Sequence, residues 1–329
     1  MKRLKIESLS SLPLLLAPMA GVTDTSFRRL ARSMGAGILY SEMVSAKGVL
    51  YGSAKTRELL YFEEEERPFG IQLFGDNSRE VARAAAQVEA KFSPDLIDIN
   101  MGCPVPKVVK SGAGSALMRN PSRAVEMAAR VVEEVQLPVT VKMRTGWDQD
   151  NLNATRLSVQ LEEVGISALA VHGRTRDQFY EGRADWGIIR AVKEEISIPV
   201  IGSGDLLTPQ KIKSFFDETG CDAVMIARGA RGNPWIFSRT LELLTAGTPG
   251  KKPSLEEVIR LTIKHLELQI KIKGEYRAVR EMRKHCGWYL KGFPGVKALR
   301  QLINQVKKAK EFKSLLLEYL AYSTNSKDY

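Results

Sequence analysis

Eight short apolar runs alternating with helical patterns predict a (β/α)8 TIM barrel followed by a small C-terminal all-helical domain. Three observations carry this. The eight runs fall within residues 14–228. Several are apolar on consecutive residues, as parallel strands covered on both faces are. Polar residues recur where the runs end: Glu42, Gln72, Asn100, Cys103, Lys142, His172, Arg174 and Asp205. A barrel gathers such positions on one face, which carries its active site. An open doubly wound sheet has the same alternation, but the count of eight and the polar run ends favour the barrel.

The first strand is LLLAPMA (14–20). With the basic MKRLK before it, this segment imitates a secretory leader. The apolar run is short and broken by Pro13 and Pro18, so it reads as a strand. Then come GILYSEMV (37–44), FGIQLFG (69–75), LIDINMG (96–102), VTVKMR (139–144), ALAVHGR (168–174), VIGSGD (200–205) and AVMIAR (223–228). Helical stretches lie between most of them. Asn120 is a candidate N-cap with Pro121 at the first helical position, and Thr208 with Pro209 repeats the device. Gly220 is the matching stop. Strand starts are mostly 23 to 32 residues apart, but 43 separate the fourth from the fifth. The extra length is CPVPKVVKSGAGSALM, directly after Cys103, a candidate lid or substrate loop.

The stretch TAGTPGKKP (245–253) is a linker by composition. It separates a barrel domain, 1–244, from a helical domain, 254–329. Ser254 and Glu257 form a candidate capping box for the first helix of the latter.

With 44% hydrophobic and 26% charged residues, the 329-residue chain is globular in composition. Its apolar runs fall far below the roughly 20 residues of a membrane span, so no membrane association is expected. Cys103, Cys221 and Cys286 are widely spaced and odd in number, which supports neither a disulfide framework nor a zinc site. A reducing, cytoplasmic setting fits. The charge is uneven. Residues 251–329 hold 18 basic and 8 acidic side chains, and residues 1–250 hold 31 and 30. A nearly neutral body with a basic tail suggests contact with a polyanion; a solvated lysine-rich helical surface would look the same.

Candidate chemistry clusters at the strand ends. GSGD (202–205) and ARGARGNPW (227–235) follow the seventh and eighth strands, where barrels hold phosphate on backbone N–H groups. Gly202, Gly204, Gly229 and Gly232 permit close approach and Arg228 adds charge, although two ordinary tight turns would share these glycines. Lys142 lies inside a strand, where an unpaired ammonium is costly. A bound anion would satisfy it, as would a carboxylate such as Glu42. His172 alone reads as a structural histidine; with Lys142 it forms a cationic wall suited to an electron-rich ligand.

Cys103 ends a strand in INMGCPVP, three residues after Asn100. Most lone cysteines are small core residues. A thiol of ordinary pKa, near ~8.5, is protonated at neutral pH and can donate a proton. With a lowered pKa it can act as a nucleophile. No Ser-His-Asp arrangement or metal-ligand cluster competes. In the tail, RAVREMRKHCGWYLKGFPGVKALR (277–300) interleaves basic and aromatic residues. Arg277, Arg280, Lys284 and Lys291 follow helical spacing, as in RNA-binding surfaces. Trp288, Tyr289 and Phe293 can equally be helical-bundle core.

Together these segments resemble the tRNA-dihydrouridine synthases, most closely the bacterial branch. The shared motifs are APMAGVTD (17–24), GIQLFG (70–75), DINMGCPVPKVVKSGAGSALM (98–118), VKMRTGW (141–147), VHGRTRDQFYEGRADW (171–186), GSGD (202–205) and RGARGNPWIF (228–237). The block Arg283–Lys291 is also similar. The likeness spans essentially the whole chain.

The resemblance implies an FMN-dependent oxidoreductase acting on a CH–CH group, with NADPH (or NADH) as reductant and tRNA as substrate. It implies no metal and no obligate protein partner. Reduced FMN would give hydride to carbon 6 of a uracil base, and Cys103 would protonate carbon 5. Pro18, Met19 and Ala20 would line the flavin. Gln72 and Lys142 would meet its polar edge. Ser203, Gly204, Asp205, Ala227 and Arg228 would hold its phosphate. Asn100, His172 and Arg174 would lie near flavin and base, while Arg280 and Lys284 would meet tRNA. Two departures stand out. Ser203 replaces a frequent Asn, which shortens a side-chain contact. Ala227 replaces a common Gly, which requires negative φ there. Two other readings are an FMN reductase of a free pyrimidine or small enone, and a non-catalytic RNA-binding protein.

Overall fold

The computed structural model describes residues 13–325; residues 1–12, with the basic MKRLK start, and 326–329 lie outside them. Nine parallel strands form the sheet: β1 Leu14–Leu16, β2 Leu39–Tyr40, β3 Val44–Ser45, β4 Phe69–Phe74, β5 Leu96–Met101, β6 Val139–Arg144, β7 Ala168–His172, β8 Val200–Ser203 and β9 Ala223–Ile226. Their order is β1-β9-β8-β7-β6-β5-β4-β2, with β3 also on β4. Two backbone hydrogen bonds bring β1 to the segment entering β2, Leu16 N to Ile38 O (3.2 Å) and Gly37 N to Leu14 O (2.7 Å). The sheet thus closes as an eight-position barrel. The predicted second strand is split, because Ser41–Met43 leave the ladder between β2 and β3.

Period-two alternation divides the strand side chains between two cores. Leu15, Ala17, Ile38, Tyr40, Leu96, Ala168, Ala170, Ile201, Ala223 and Met225 form one cluster, the filling of the barrel. The opposite faces pack under the helices in a second, larger cluster. Gly70 makes room inside, because a Cβ there would stand 2.6 Å from the Leu96 side chain and 2.9 Å from the Tyr40 ring.

The helices are α1 Thr25–Ser33, α2 Ala46–Tyr51, α3 Ala54–Leu60, α4 Ser78–Phe92, α5 Pro106–Lys110, α6 Pro121–Glu134, α7 Ala154–Glu163, α8 Trp186–Glu195, α9 Pro209–Thr219 and α10 Ile236–Ala246. Asn120 and Thr208 cap α6 and α9 through the N–H groups of Arg123 and Lys211, each with proline at the first turn. Gly220 ends α9 in the left-handed region. The long segment after Cys103 contains α5 and a 3-10 turn, Gly114–Arg119.

Four helices follow: α11 Leu255–Lys273, α12 Glu275–Tyr289, α13 Val296–Gln305 and α14 Ala309–Asn325. The Ser254–Glu257 capping box opens α11. Gly247 terminates α10 in the left-handed region, and irregular chain leads on to Ser254. Among the described residues, no helix is long and apolar enough to cross a membrane.

Candidate active site

Inward-facing positions become polar toward the C-terminal ends of the strands. Strand registry places Gln72, Asp98 and Thr140 side by side across β4, β5 and β6. Asn100 and Lys142 are paired two residues further along. The alternation that turns Leu96 inward also turns Asp98 and Asn100 inward.

These side chains form a chain of hydrogen bonds. Thr140 Oγ1 donates to Asp98 Oδ1 (2.6 Å) and Gln72 Nε2 to Asp98 Oδ2 (2.7 Å). Asn100 Nδ2 donates to Gln72 Oε1 (2.8 Å). Asn100 Oδ1 accepts from the backbone N–H groups of Cys103 (3.0 Å) and Gly102 (3.2 Å). Behind Cys103, its carbonyl accepts from Ser115 N (3.1 Å) and Ser115 Oγ (2.9 Å). The loop between them comes close enough that a Cβ on Gly114 would lie 2.9 Å from that carbonyl.

Burial pushes the Asp98 carboxyl up to about 6, against the pull of Thr140, Gln72 and the Lys142 charge. Burial, with the neighbouring Arg144 charge, lowers Lys142 to about 8. Lys142 has no salt-bridge partner among the described residues. Glu42, the carboxylate the sequence offers it, accepts from Gly21 N (2.7 Å) instead. Burial raises the Cys103 thiol, and a bond from Val105 N–H with the charges of Arg144 and Lys142 opposes this only in part. Cys103 is therefore a neutral thiol at pH 7, partly exposed and available to donate.

His172 corrects the cationic wall expected from the sequence. Burial is the first cause lowering its pKa, and the charges of Lys142, Arg144, Arg174 and Arg228 add to it. The imidazole is neutral at pH 7, and the positive charge of this wall belongs to Lys142 and Arg144.

Beside His172 a shallow cleft is lined by Ser203, Gly204, Asp205, Ala227, Arg228 and Gly229, among others. Both glycine-rich turns therefore meet at one cavity. A Cβ on Gly229 would lie 2.1 Å from the Leu206 carbonyl. Asp205 sits at φ +57°, a conformation aspartate tolerates. It accepts from Arg174 Nη2 (2.8 and 2.9 Å), Arg228 Nη2 (2.9 Å) and Ala184 N (2.9 Å). Burial would raise this carboxyl, but Ala184 N–H, Arg174 and Arg228 hold it below its usual range. Ser203 turns its hydroxyl to the Met225 carbonyl (2.9 Å). Ala227 lies outside the positive-φ positions, so its side chain is accommodated.

Pro18, Met19 and Ala20 form the turn after β1, where the Met19 carbonyl accepts from Val22 N (2.9 Å). Arg174, expected beside the substrate, lies beneath the following loop with 1% of its surface exposed. Its Nε donates to the Glu181 carbonyl (2.9 Å) and its Nη2 to the Gly182 carbonyl (2.7 Å) and Asp205, while Nη1 has no partner among the described residues. Arg277 bonds Glu281 (2.7 Å) and Glu58 (2.7 Å). The Lys284 ammonium donates to the Gly21 carbonyl and ties α12 to the β1 turn. Arg280 is exposed and stacks on Tyr276, its guanidinium carbon 3.4 Å from the ring centre.

Several further side chains complete the site. Asp98 and Thr140 were findable from the inward alternation. Arg144 donates to the carbonyls of Gly102 (2.8 Å), Thr175 (2.7 Å) and Phe179 (2.9 Å), bracing the loops on either side of the mouth. Tyr180 is 56% exposed, with the Arg144 and Arg228 guanidinium carbons each 5.6 Å from its ring centre. No periodicity marks it, because it lies in an irregular loop. Among the described residues, no group of three or more His, Cys, Asp or Glu is placed to hold a metal ion.

Three comparisons bear on this site. The dihydrouridine synthase (Dus) family profile matches residues 15–325. The chain is 43% identical to tRNA-dihydrouridine synthase B of Pseudomonas aeruginosa over 293 residues, covering 89% of this chain and 88% of that protein. It is 40% identical to the Pasteurella multocida protein of the same name over 296 residues, covering 90% and 89%. Among solved structures it is similar in fold to histamine dehydrogenase from a Rhizobium species (TM-score 0.54, 12% identity, 97% of this chain and 63% of that one). A 6-hydroxypseudooxynicotine amine oxidase from Pseudomonas geniculata gives TM-score 0.56 at 14% identity, covering 79% and 50%.

Proposed function

The chain belongs to the dihydrouridine synthase family, and from that premise we propose that it is a cytoplasmic tRNA-dihydrouridine synthase that uses FMN and NADPH (or NADH). The relatives named for this activity cover the same length of chain. One observation carries the reading further. A neutral Cys103 thiol stands at the barrel mouth, and the amide and ammonium donors of Gln72, Asn100 and Lys142 line the wall beside it.

The residues present fit FMN. The cleft at Ser203–Asp205 and Ala227–Gly229 has the glycines a phosphate needs for close approach, and Arg228 supplies charge. Lys142, with no salt-bridge partner among the described residues, is suited to an electron-rich polar ring edge. When bound, FMN would supply hydride chemistry, recharged by the nicotinamide reductant.

The chain's own groups do the rest. Pro18, Met19 and Ala20 offer the backbone of the β1 turn as one wall. Lys142 holds positive charge where negative charge develops, which is electrostatic stabilisation of the transition state. Neutral His172 donates or accepts one hydrogen bond without adding charge. Asn100 positions the Cys103 main chain, and the thiol gives its proton to the base carbon as negative charge accumulates there, which is general-acid catalysis. A uracil in folded tRNA must leave its stack to reach this depth. Exposed Tyr180, between two guanidinium groups, offers it a ring surface. Helices α11–α14 would form the tRNA-binding domain, with Arg280 and Lys284 near the phosphates.

The test is an absorption spectrum of the purified protein, repeated after anaerobic NADPH and again after unmodified tRNA. A flavin band that bleaches and then returns is the expected result. A band that bleaches but ignores tRNA would point to a small-molecule reductase. A protein that cannot take up FMN would overturn the reading.

A further inference from the structure

Asp98 lies one layer below the mouth, 1% exposed and out of reach of a ligand above Asn100. Its importance lies in polarity. An ionised carboxylate has acceptors and no donor. Gln72 must therefore turn its NH2 toward Asp98 and its carbonyl oxygen toward Asn100. Asn100 must then turn its NH2 toward Gln72, leaving its own oxygen for the N–H groups of Gly102 and Cys103. Each amide could rotate by half a turn at little steric cost; the carboxylate at one end and the two N–H groups at the other forbid it. Reversing either amide would set donor against donor in a buried site.

The orientation also decides what the wall offers. With the chain so polarised, the remaining unshared hydrogens of Gln72 and Asn100 are N–H donors. Beside the Lys142 ammonium they form a surface with donors and no free charged acceptor. Such a wall matches a ligand edge of carbonyl oxygens and unprotonated ring nitrogens.

We infer that Asp98 is a positioning residue whose acceptor-only carboxylate sets the direction of the Gln72–Asn100 amides, fixing the main chain of Cys103 at one end and the donor face of the wall at the other. The Cys103 half stands on the hydrogen bonds alone; the ligand half rests on the FMN reading above. Tyr40, hydrogen bonded to Thr140, and Lys142 are the titratable groups facing Asp98. Burial raises Asp98 only to about 6, so its carboxylate form predominates at pH 7.

The experiment compares Asp98→Leu with the exchange Gln72→Glu plus Asp98→Asn, which moves the carboxylate one place along the chain. Two quantities are read at pH 7: the rate of Cys103 alkylation by iodoacetamide, and the dissociation constant of FMN by fluorescence quenching. Cys221 and Cys286 are buried, so the alkylation reports Cys103. Asp98→Leu removes the acceptor from Gln72 Nε2 and leaves only the Gly102 and Cys103 N–H groups to hold the amide chain. It is expected to change the alkylation rate several-fold and to weaken FMN about tenfold, the scale of one lost buried hydrogen bond. In the exchange variant the relocated carboxylate still accepts from Asn100, so Cys103 keeps its wild-type alkylation rate. FMN nevertheless remains weak, because the Gln72 donor is gone. This split is the signature that a merely structural Asp98 would not produce. An alkylation rate in Asp98→Leu within about twofold of wild type overturns the inference. So does an exchange variant that binds FMN normally while its thiol rate shifts. If Asp98→Leu does not fold, the exchange variant alone decides by the same split. If the wild-type protein binds no FMN, the cofactor reading fails while the alkylation arm still tests the relay.

Discussion

Lys273 donates to Asp24 across 249 positions of sequence, so a single carboxylate both caps a barrel helix and anchors a C-terminal one. Asp24 Oδ1 accepts from Phe27 N at the start of α1 (3.0 Å), while Oδ2 also takes Gln269 Nε2 from α11 (3.1 Å). Burial would raise this carboxyl, but the charges of Lys273 and His265 hold it down to about 2. Around it, α11 and α12 bury His265 and His285 against Phe27, with the Tyr289 ring packed edge-on against His265. The attachment of the last helices to the barrel is thus polar at its centre, and it responds to acid.

The response has a definite sign. Burial lowers His265 to about 4, below the 6.5 of an exposed histidine, and it lowers His285 as well. At these two histidines the unfolded chain binds protons that the folded one refuses, so their contribution to stability falls as pH drops from 6.5 toward 4, while Asp98, raised to about 6, acts in the opposite sense. The full His265 contribution amounts to about 3 kcal/mol. Asp24 adds a further loss only below about pH 4, as its carboxylate is protonated. Thermal unfolding between pH 7 and 5 should show a falling Tm, and His265→Gln should flatten the fall. A Tm unaffected by pH in the wild-type protein would contradict this account.

Gly232 makes the second attachment. It sits at φ +70°, and a Cβ there would stand 2.5 Å from the Trp288 backbone. Arg231 beside it covers the Trp288 ring, its guanidinium carbon 4.8 Å from the centre. Gly232→Ala is expected to separate α12 from the β9 loop, weakening tRNA binding at least ~10-fold while FMN affinity stays near wild type. Parallel titrations with tRNA and FMN check this; equal losses in both would place the damage in the barrel instead.

Arg280 and Lys284 divide by their contacts. Arg280 is exposed and, among the described residues, stacks on Tyr276 and bonds its carbonyl within the same helix, whereas Lys284 holds the Gly21 carbonyl. Arg280→Ala should therefore lower tRNA affinity and reduce the slope of log K against log salt by about 0.9, the loss of one phosphate contact, with unchanged thermal stability. Lys284→Met should lower Tm as well. Affinity measurements at several salt concentrations, alongside melting curves, separate the two. An unchanged slope in Arg280→Ala would remove that residue from the RNA surface.

Much of this architecture was legible because it follows local rules. The barrel strands are covered on both faces and announce themselves as apolar runs, and Asn120, Thr208 and Ser254 cap the helices that their spacing predicts. What escaped depends on groups brought from afar. The second strand breaks because Ser41 turns its hydroxyl to Gln72 N (3.0 Å) and Glu42 turns to Gly21, neither of which the segment itself announces. His172 reads as a cation beside Lys142, but burial first, and then the charges of Lys142, Arg144, Arg174 and Arg228, keep it neutral. Arg174 ends a strand as a substrate-binding residue would, but Asp205 and two loop carbonyls draw it inward. Asp98 was within reach, since it shares the inward face of β5 with Asn100.

Cys103 remains the position where sequence and geometry meet, and its substitution gives the sharpest test of the chemistry. Its backbone is held by Asn100 in front and Ser115 behind, so Cys103→Ala leaves every one of those hydrogen bonds in place. The cleft beside His172 does not include it, and FMN affinity should not change. The proton donor is lost, together with the bond the sulfur accepts from Val105 N–H. A general acid commonly contributes about 10²–10⁴-fold, so dihydrouridine formation should fall by that order while NADPH still bleaches the bound flavin. Quantifying dihydrouridine in tRNA digests, with the NADPH half-reaction followed by stopped flow, reads both quantities. Product formation at the wild-type rate would remove the thiol from the mechanism and turn attention to Arg144 and Tyr180 at the same mouth.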